Sequence, residues 1–483
     1  RARGDAEERR RCAPLVEQAL TLQLSIQNGP DNDWIWSRPQ GAAGGFPRVM
    51  KSEEVRMDIV QHNLSALIHG LAFVDAGPES HASDGPPLSK ATRLEADLGD
   101  WLARWTAGQR WAAPKVDTLP KRAELIRSAE LAIRYLRDHQ MAFGEFEYSY
   151  NLFLKVPVVA SSQVRQMGAL WAMAKAAAWQ ARDENREALL RGLAFHLERL
   201  APGPVPGSLL LESISEPYLK IGSQALLCLA ISDTLDGGIS LKADVRRRLK
   251  NALAGLLEGL WWAQTADGRF AEQVHLLSGV ASAKHSAYAD GEALLALVRG
   301  ADVLKRRDCA PRLERSALLL AARYTRDAWR LNPDSDDTKG FYQWGSMAFD
   351  RLGRRKWMNA ELADKLVLGL AWWQLHVHRL LERTDNIAYG LEGLAVALEV
   401  AKRRKMDEAQ RSLLAAIQVG VLRSLRLQFS GPRTKENPYL ANLGRLDTRA
   451  VGGVVGRENS GLMRIDLVQH HLLSLFGTMN SFP

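Results

Sequence analysis

The sequence predicts an all-α protein whose helical hairpins close into an (α/α) toroid, with an inner ring of helices inside an outer one. Three observations predict it. The composition is helical: Ala, Leu, Arg and Glu dominate, and clusters of β-branched residues are scarce. A hairpin-sized unit recurs: a helix with an apolar stripe that often ends in Gln, a Gly-containing loop, and a second, more apolar helix rich in Ala and Leu. Finally, one stretch occurs twice. Near the start it reads Gly44-Gly45-Phe46, then Arg56-Met57-Asp58-Ile59-Val60-Gln61-His62; near the end it reads Gly452-Gly453-Val454, then Arg464-Ile465-Asp466-Leu467-Val468-Gln469-His470. Both halves keep one register, since 453 − 45 = 464 − 56 = 408. A lone α-hairpin cannot bury its apolar stripe, so such units stack, and an open stack ends in atypical polar caps. First and last repeats that share a signature argue instead for a ring whose ends meet.

The elements follow in order from i, i+3, i+4 apolar spacing, as in Leu294, Leu297, Val298 and Ala301. Residues 9–27 end at Gln27 and pair with 55–73. Residues 121–140 end at Gln140 and pair, across Gly144-Glu145-Phe146, with 162–181. Residues 242–264 end at Gln264 and pair, across Asp267-Gly268-Arg269-Phe270, with 287–305. Glycine in each loop permits the positive φ that a larger residue resists. Hairpins with other loops pair 184–200 with 220–235, 310–330 with 342–352, 359–381 with 386–403, and 406–430 with 462–477. Six or seven hairpins thus make the ring. A further helix near 91–106 is flanked by Pro86-Pro87 and by Pro114 and Pro120, so residues 75–120 are expected to be a surface insertion in a single domain over 1–483.

Composition removes several function classes. No run approaches the ~18 to 20 apolar residues of a membrane span. The net charge of +9 suits an anionic partner. The basic runs Arg9–Arg11, Arg246–Lys250 and Lys402–Lys405 lie where outer helix faces meet solvent, and signs are interspersed, so no nucleic-acid footprint is expected. Cys12, Cys228 and Cys309 are odd in number and far apart, which argues against a disulfide framework. The compartment is left open, an extracytoplasmic one being preferred.

With the repeats laid out, the chain resembles the (α/α) toroids of carbohydrate-active enzymes, and most of all the helical domain of D-glucuronyl C5-epimerases. The resemblance is carried by Tyr148-Ser149-Tyr150-Asn151, by Gln163-Val164-Arg165-Gln166, and by Tyr288-Ala289-Asp290-Gly291-Glu292-Ala293-Leu294-Leu295 followed by Leu297-Val298-Arg299. The β-rich portion of those epimerases has no counterpart here. The resemblance implies a cleft for a polysaccharide or oligosaccharide; no cofactor is expected. Peptide cyclases with α-toroids need Cys and His zinc ligands, which these three cysteines do not supply; no metal is expected.

The candidate site residues sit where inner helices begin. Glu145, Glu147, Tyr148, Tyr150 and Asn151 form a polar loop that is either an ordinary hairpin connection or a sugar platform, with Arg165 placed to grip a carboxylate. Glu216, Tyr218 and Lys220 precede one inner helix, and Tyr288 and Glu292 open the next. Tyr342 and Trp344 enter the fifth inner helix; Asp385, Asn386, Tyr389 and Glu392 enter the sixth. In Arg56, Asp58 and His62, repeated as Arg464, Asp466 and His470, the Asp and His share a helix face, so the carboxylate could hold the imidazole. Because the motif is duplicated, a structural network at the ring seam is the preferred reading, with substrate contact as the other.

Two chemistries fit such a cleft. Hydrolysis needs a carboxylic acid and a carboxylate flanking the glycosidic bond, for which Glu216 and Glu292 are the pair. Epimerisation or β-elimination of a uronate needs a base, Tyr288 or Tyr150, and a cation, Arg165. The expected function is therefore a glycoside hydrolase, lyase or uronyl epimerase acting on a glycan expected to be anionic. The alternative is a non-catalytic scaffold of polysaccharide synthesis or export.

Overall fold

Helices form where the apolar spacing places them, within a few residues in nearly every case. The computed structural model describes residues 88–482 apart from positions 159, 214–215, 276–278, 386 and 444–446. The expected first hairpin with Arg56, Asp58 and His62, and Asn386, lie outside the described residues. In chain order the helices are α1 (Leu88–Thr106), α2 (Arg122–Asp138), α3 (Gln163–Trp179), α4 (Asp183–Leu197), α5 (Ile221–Asp236) and α6 (Ala243–Trp262). They continue as α7 (Ala287–Val303), α8 (Ala310–Ala322), α9 (Asp336–Arg355), α10 (Ala360–His376), α11 (Ile387–Arg403), α12 (Asp407–Arg426) and α13 (Ile465–Thr478).

Six of these form the inner ring. Each of α3, α5, α7, α9 and α11 packs on the next, and α13 packs on both α11 and α3, so the circle is closed. The outer helices α2, α4, α6, α8, α10 and α12 each lead into an inner one. Among the described residues the ring thus closes with six hairpins, and the last of them meets the hairpin of α2 and α3. Burial follows from this geometry. An inner helix has neighbours on every side, and all of Ile221–Leu235 in α5 is buried. Outer α2 buries a stripe containing Leu125, Ala129, Leu131, Ala132, Ile133 and Leu136. Helix α1 packs on outer helices α8 and α10, with the rings of Trp105 and Trp372 of α10 edge-on and their centroids 5.3 Å apart.

The recurring Gln and Gly residues have one physical job. Gln140 Nε2 donates to Gly144 O (2.9 Å) in its own loop and to Ala188 O (3.0 Å) on the next outer helix, α4. Gln264 Nε2 donates to Gly268 O (3.2 Å) and to Ser316 Oγ (2.7 Å) on α8. Gln428 Nε2 donates to Gly452 O (3.1 Å) and to Ser128 O (2.9 Å) on α2, joining the end of the chain to the beginning of the ring. Gly144 (φ +123°) and Gly452 (φ +88°) lie against the same neighbouring helices. A Cβ on Gly144 would stand 2.7 Å from Arg191 O, and one on Gly452 2.1 Å from Leu131 O. Glycine is required there for closeness as well as for φ.

Short strands in the outer-to-inner loops stiffen one end of the ring: β1 (Ser149–Asn151), β2 (Val156–Val158), β3 (Leu200–Pro202), β4 (Leu209–Leu211), β5 (Tyr218–Lys220), β6 (Gln273–His275) and β7 (Leu462–Arg464). The order β2-β1-β7 ties the first described hairpin to the last, with Tyr150 opposite Met463. At the other end, inner helices are joined by ion pairs. Asp233 on α5 takes Lys175 of α3 (2.9 Å) and Arg299 of α7; Asp302 on α7 takes Arg351 and Arg355 of α9; Asp350 on α9 takes Arg403 of α11 (3.0 Å). Burial of Asp233 would raise its pKa, but Lys175 and Arg299 more than reverse this and hold it at about 2.

Candidate active site

The ring puts three titratable groups at one depth. Glu292 on α7, Glu392 on α11 and His470 on α13 are each five residues past their helix start (292 − 287 = 392 − 387 = 470 − 465 = 5). Five residues of helix carry each side chain about 7 Å below the loop end of the ring, Glu392 and His470 on neighbouring helices and Glu292 across the ring from α13. His470 Nδ1 lies 2.8 Å from Glu392 Oε1, and Gln343 Nε2 on α9 donates to Glu392 Oε2. Burial raises the pKa of Glu392, opposed by the bonds from His470 and Gln343. Bonded in this way, the Nδ1 side of the ring is occupied and Nε2 is left to act.

Glu292 is different. It is 4% exposed, its carboxyl group has no hydrogen bond among the described residues, and burial alone pushes its pKa up to about 8. It is a carboxylic acid at neutral pH. Its Oε2 lies so close to α5 that a Cβ on Gly222 would stand 2.2 Å away. Tyr389 links the two groups. Its ring is edge-on to His470 (centroids 5.1 Å) and 5.9 Å from that of Tyr288, and its phenol, raised well above the usual value first by burial, also feels Tyr288, Glu292 and Glu392. The Tyr389 hydroxyl donates to Gly340 O (2.9 Å).

A tryptophan floor lies beneath. Helices α3 and α9 face each other across the ring, and Trp171 and Trp344 meet with centroids 5.7 Å apart. Trp344 Nε1, Gln343 Oε1 and, on α5, Ser223 Oγ are enclosed and have no hydrogen-bond partner among the described residues. Together with Glu292 they leave donors and acceptors unsatisfied in the upper half of the ring, where a polyhydroxylated ligand would satisfy them.

Several expected site residues take other places. Tyr150 is 2% exposed with its hydroxyl on Asp447 (2.7 Å), so its ring is no stacking platform. Asn151 Oδ1 accepts from Phe153 N and Leu154 N (both 3.0 Å) and shapes the β1–β2 turn. Trp344 does not open its helix. Ser335 caps the N–H of Thr338 (3.4 Å), starting α9 at Asp336, so Trp344 lies two turns down in the floor. Tyr148 stays at the rim under the Arg165 guanidinium (5.4 Å from the ring centroid). Tyr218 and Glu216 stay together at β5, with Lys220 Nζ 3.5 Å from Glu216. Tyr288 is 44% exposed at the entrance.

The repeated Arg-x-Asp-x-x-x-His stretch divides in two. Asp466 does not hold His470. It receives Arg464 (Nε 3.0 Å, Nη2 2.9 Å) and Arg165 of α3 (3.3 Å), pinning the start of α13 to its neighbour, while His470 turns to Glu392. The adjacent His471 is wholly structural. It bridges Ser128 Oγ (2.8 Å) and Ser424 Oγ (2.7 Å), and burial pushes its pKa down to about 3. Gln343 is the site residue that sequence reasoning missed, because an amide beside an apolar stretch carries no signal of its own. No group of three or more His, Cys, Asp or Glu that could hold a metal exists among the described residues, and no helix there is long and apolar enough to cross a membrane.

No family model matches the chain, nor does any curated protein. Among solved structures it is similar to a D-mannose isomerase, with a TM-score of 0.52 and 11% identity over 77% of this chain and 100% of that one. A sugar epimerase from a ruminal bacterium matches with a TM-score of 0.46 and 13% identity, over 61% of this chain and 86% of the other. The cellobiose 2-epimerase of Bacillus thermoamylovorans matches with a TM-score of 0.47 and 10% identity, over 61% and 85%. At such identity the D-mannose isomerase likeness is one of fold, the (α/α) toroid that the sequence predicts.

Proposed function

We propose that the chain is a carbohydrate-active enzyme that moves protons on a sugar, as an epimerase or isomerase. One observation carries this reading: a buried Glu392–His470 pair at 2.8 Å shares a layer with Glu292, a lone carboxylic acid, with Tyr389 between them. His470 Nε2 takes the proton from the carbon beside the sugar carbonyl, and Glu392 stabilises the imidazolium that forms. Glu292 gives its proton to the carbonyl oxygen, so that the enediol is neutral. For isomerisation, His470 gives the proton to the neighbouring carbon while Glu292 takes the proton of the enediol hydroxyl on the first. For epimerisation, the enediol turns its other face to His470, which returns the proton to the same carbon while Glu292 takes its own proton back from the oxygen. Both groups are thereby restored. Trp171 and Trp344 block the axis, so a saccharide enters by one end and does not thread through. The fold shared with D-mannose isomerase favours a sugar as the substrate, and the net charge of +9 keeps acidic sugars among the candidates.

Hydrolysis by Glu216 and Glu292 is less well served, because Glu216 is committed to Lys220 and to Tyr218 at the rim. Incubation in D2O with a panel of neutral and uronate-bearing mono- and oligosaccharides tests the proposal. Deuterium should enter at the carbon next to the carbonyl without cleavage, and His470→Asn should slow this by roughly 10²- to 10⁴-fold. New reducing ends without deuterium would establish hydrolysis instead. No change in any sugar would favour the scaffold.

A further inference from the structure

At the end of the ring opposite the candidate active site, a recess of about 310 Å³ opens between the first residue of α2 and the last turns of α3 and α13. Its described lining is Arg122, Lys175, Ala178, Trp179, Phe476, Met479 and Asn480. No carboxylate is among the described residues that line it. The rings of Trp179 and Phe476 stand 5.2 Å apart and form one apolar wall. The Arg122 guanidinium has no hydrogen bond or ion pair among the described residues. Lys175 Nζ touches Asp233 (2.9 Å) but is 40% exposed, and Asp233 keeps Arg299 and the Trp171 indole N–H if Lys175 turns away. Two cations, a carboxamide and an aromatic wall within one small concavity are the elements of a site for an anion with a flat apolar face.

We propose that this recess binds a small anionic ligand of that class, an aryl or heteroaryl phosphate or carboxylate. Its charged group lies between Arg122 and Lys175, and its flat face rests on Trp179 and Phe476. The volume is at the low end for ligand pockets, which restricts the ligand to one or two rings. The competing account is that the two cations only balance the carbonyl ends of α3 and α13, which point here with their partial negative charge.

Calorimetric titration of the full chain with phenyl phosphate, beside inorganic phosphate and phenol, separates these accounts. Phenyl phosphate is expected to bind in the submillimolar range and more tightly than either part. Arg122→Ala, and Lys175→Gln, which keeps a hydrogen-bond donor for Asp233, should each weaken it about tenfold or more. Urea midpoints of both variants, measured alongside, show that they are folded. The proposal fails if phenyl phosphate does not bind at millimolar concentration, if inorganic phosphate binds equally well, or if both folded variants bind as the parent does. None of these readouts depends on the chemistry at Glu292 and His470.

Discussion

Replacing Glu292 by Gln removes a titration that should dominate the alkaline instability of this protein. In the unfolded chain the carboxyl group has its ordinary value of 4.5; in the ring, burial without any hydrogen bond moves it to about 8. Below the lower value both states hold the proton and the residue costs nothing. Between the two values the unfolded chain ionises while the folded one does not, so stability falls as pH rises until the folded group ionises as well. The difference, 8 − 4.5 = 3.5 pH units, corresponds to roughly 5 kcal/mol when complete and to about 3 kcal/mol at neutral pH. A glutamine at this position keeps the shape and does not titrate. Relative to the parent, Glu292→Gln should therefore gain stability by about 4 kcal/mol between about pH 5 and about pH 9. Urea unfolding followed by circular dichroism across that range measures it. A stability difference that stays constant with pH would refute the reasoning, because it would mean that Glu292 ionises in the folded protein as it does in water. The same variant should lose the proton donor and hence sugar exchange activity at every pH.

Two further outcomes follow from the packing. Gln428→Ala removes donors to Ser128 O and Gly452 O and the acceptor for Ser128 Oγ (2.6 Å), leaving buried groups unpaired where the ring closes. It should cost on the order of 3 kcal/mol in urea unfolding, and a loss no larger than that of an exposed Gln would mean that closure does not depend on it. Gly222→Ala places a Cβ against Glu292 Oε2 and should push the carboxyl group out of its apolar place. The expected reading is a shallower fall in stability between about pH 5 and about pH 8, with exchange activity reduced; an unchanged pH profile would mean that Glu292 has room to spare.

Much of the architecture is legible in the sequence because its signals are local. Apolar spacing marks where a helix must bury a face, and Gln140 and Gln264 with their Gly loops mark where α2 and α6 stop. These depend on residues only a few positions apart. Apolar spacing puts the start of α9 six residues late, at 342, because Ser335 and the acidic pair Asp336 and Asp337 lie ahead of its apolar stripe. The site is legible only in pieces. Tyr288, Glu292 and Glu392 stand out at inner-helix starts, but Tyr150 has the look of a platform until Asp447, distant in the chain, claims its hydroxyl.

By itself, then, the sequence determined an all-α ring of hairpins, the order of its inner and outer helices, and the end at which polar residues gather. Only the tertiary structure decided that Asp466 holds arginines while His470 meets Glu392 on another helix, and that Trp171 and Trp344 close the axis beneath them. Helix periodicity is set by neighbours one turn away. Which side chains face each other across the ring is set by how many hairpins complete the circle and at what level each inner helix begins, and no single stretch of sequence encodes that.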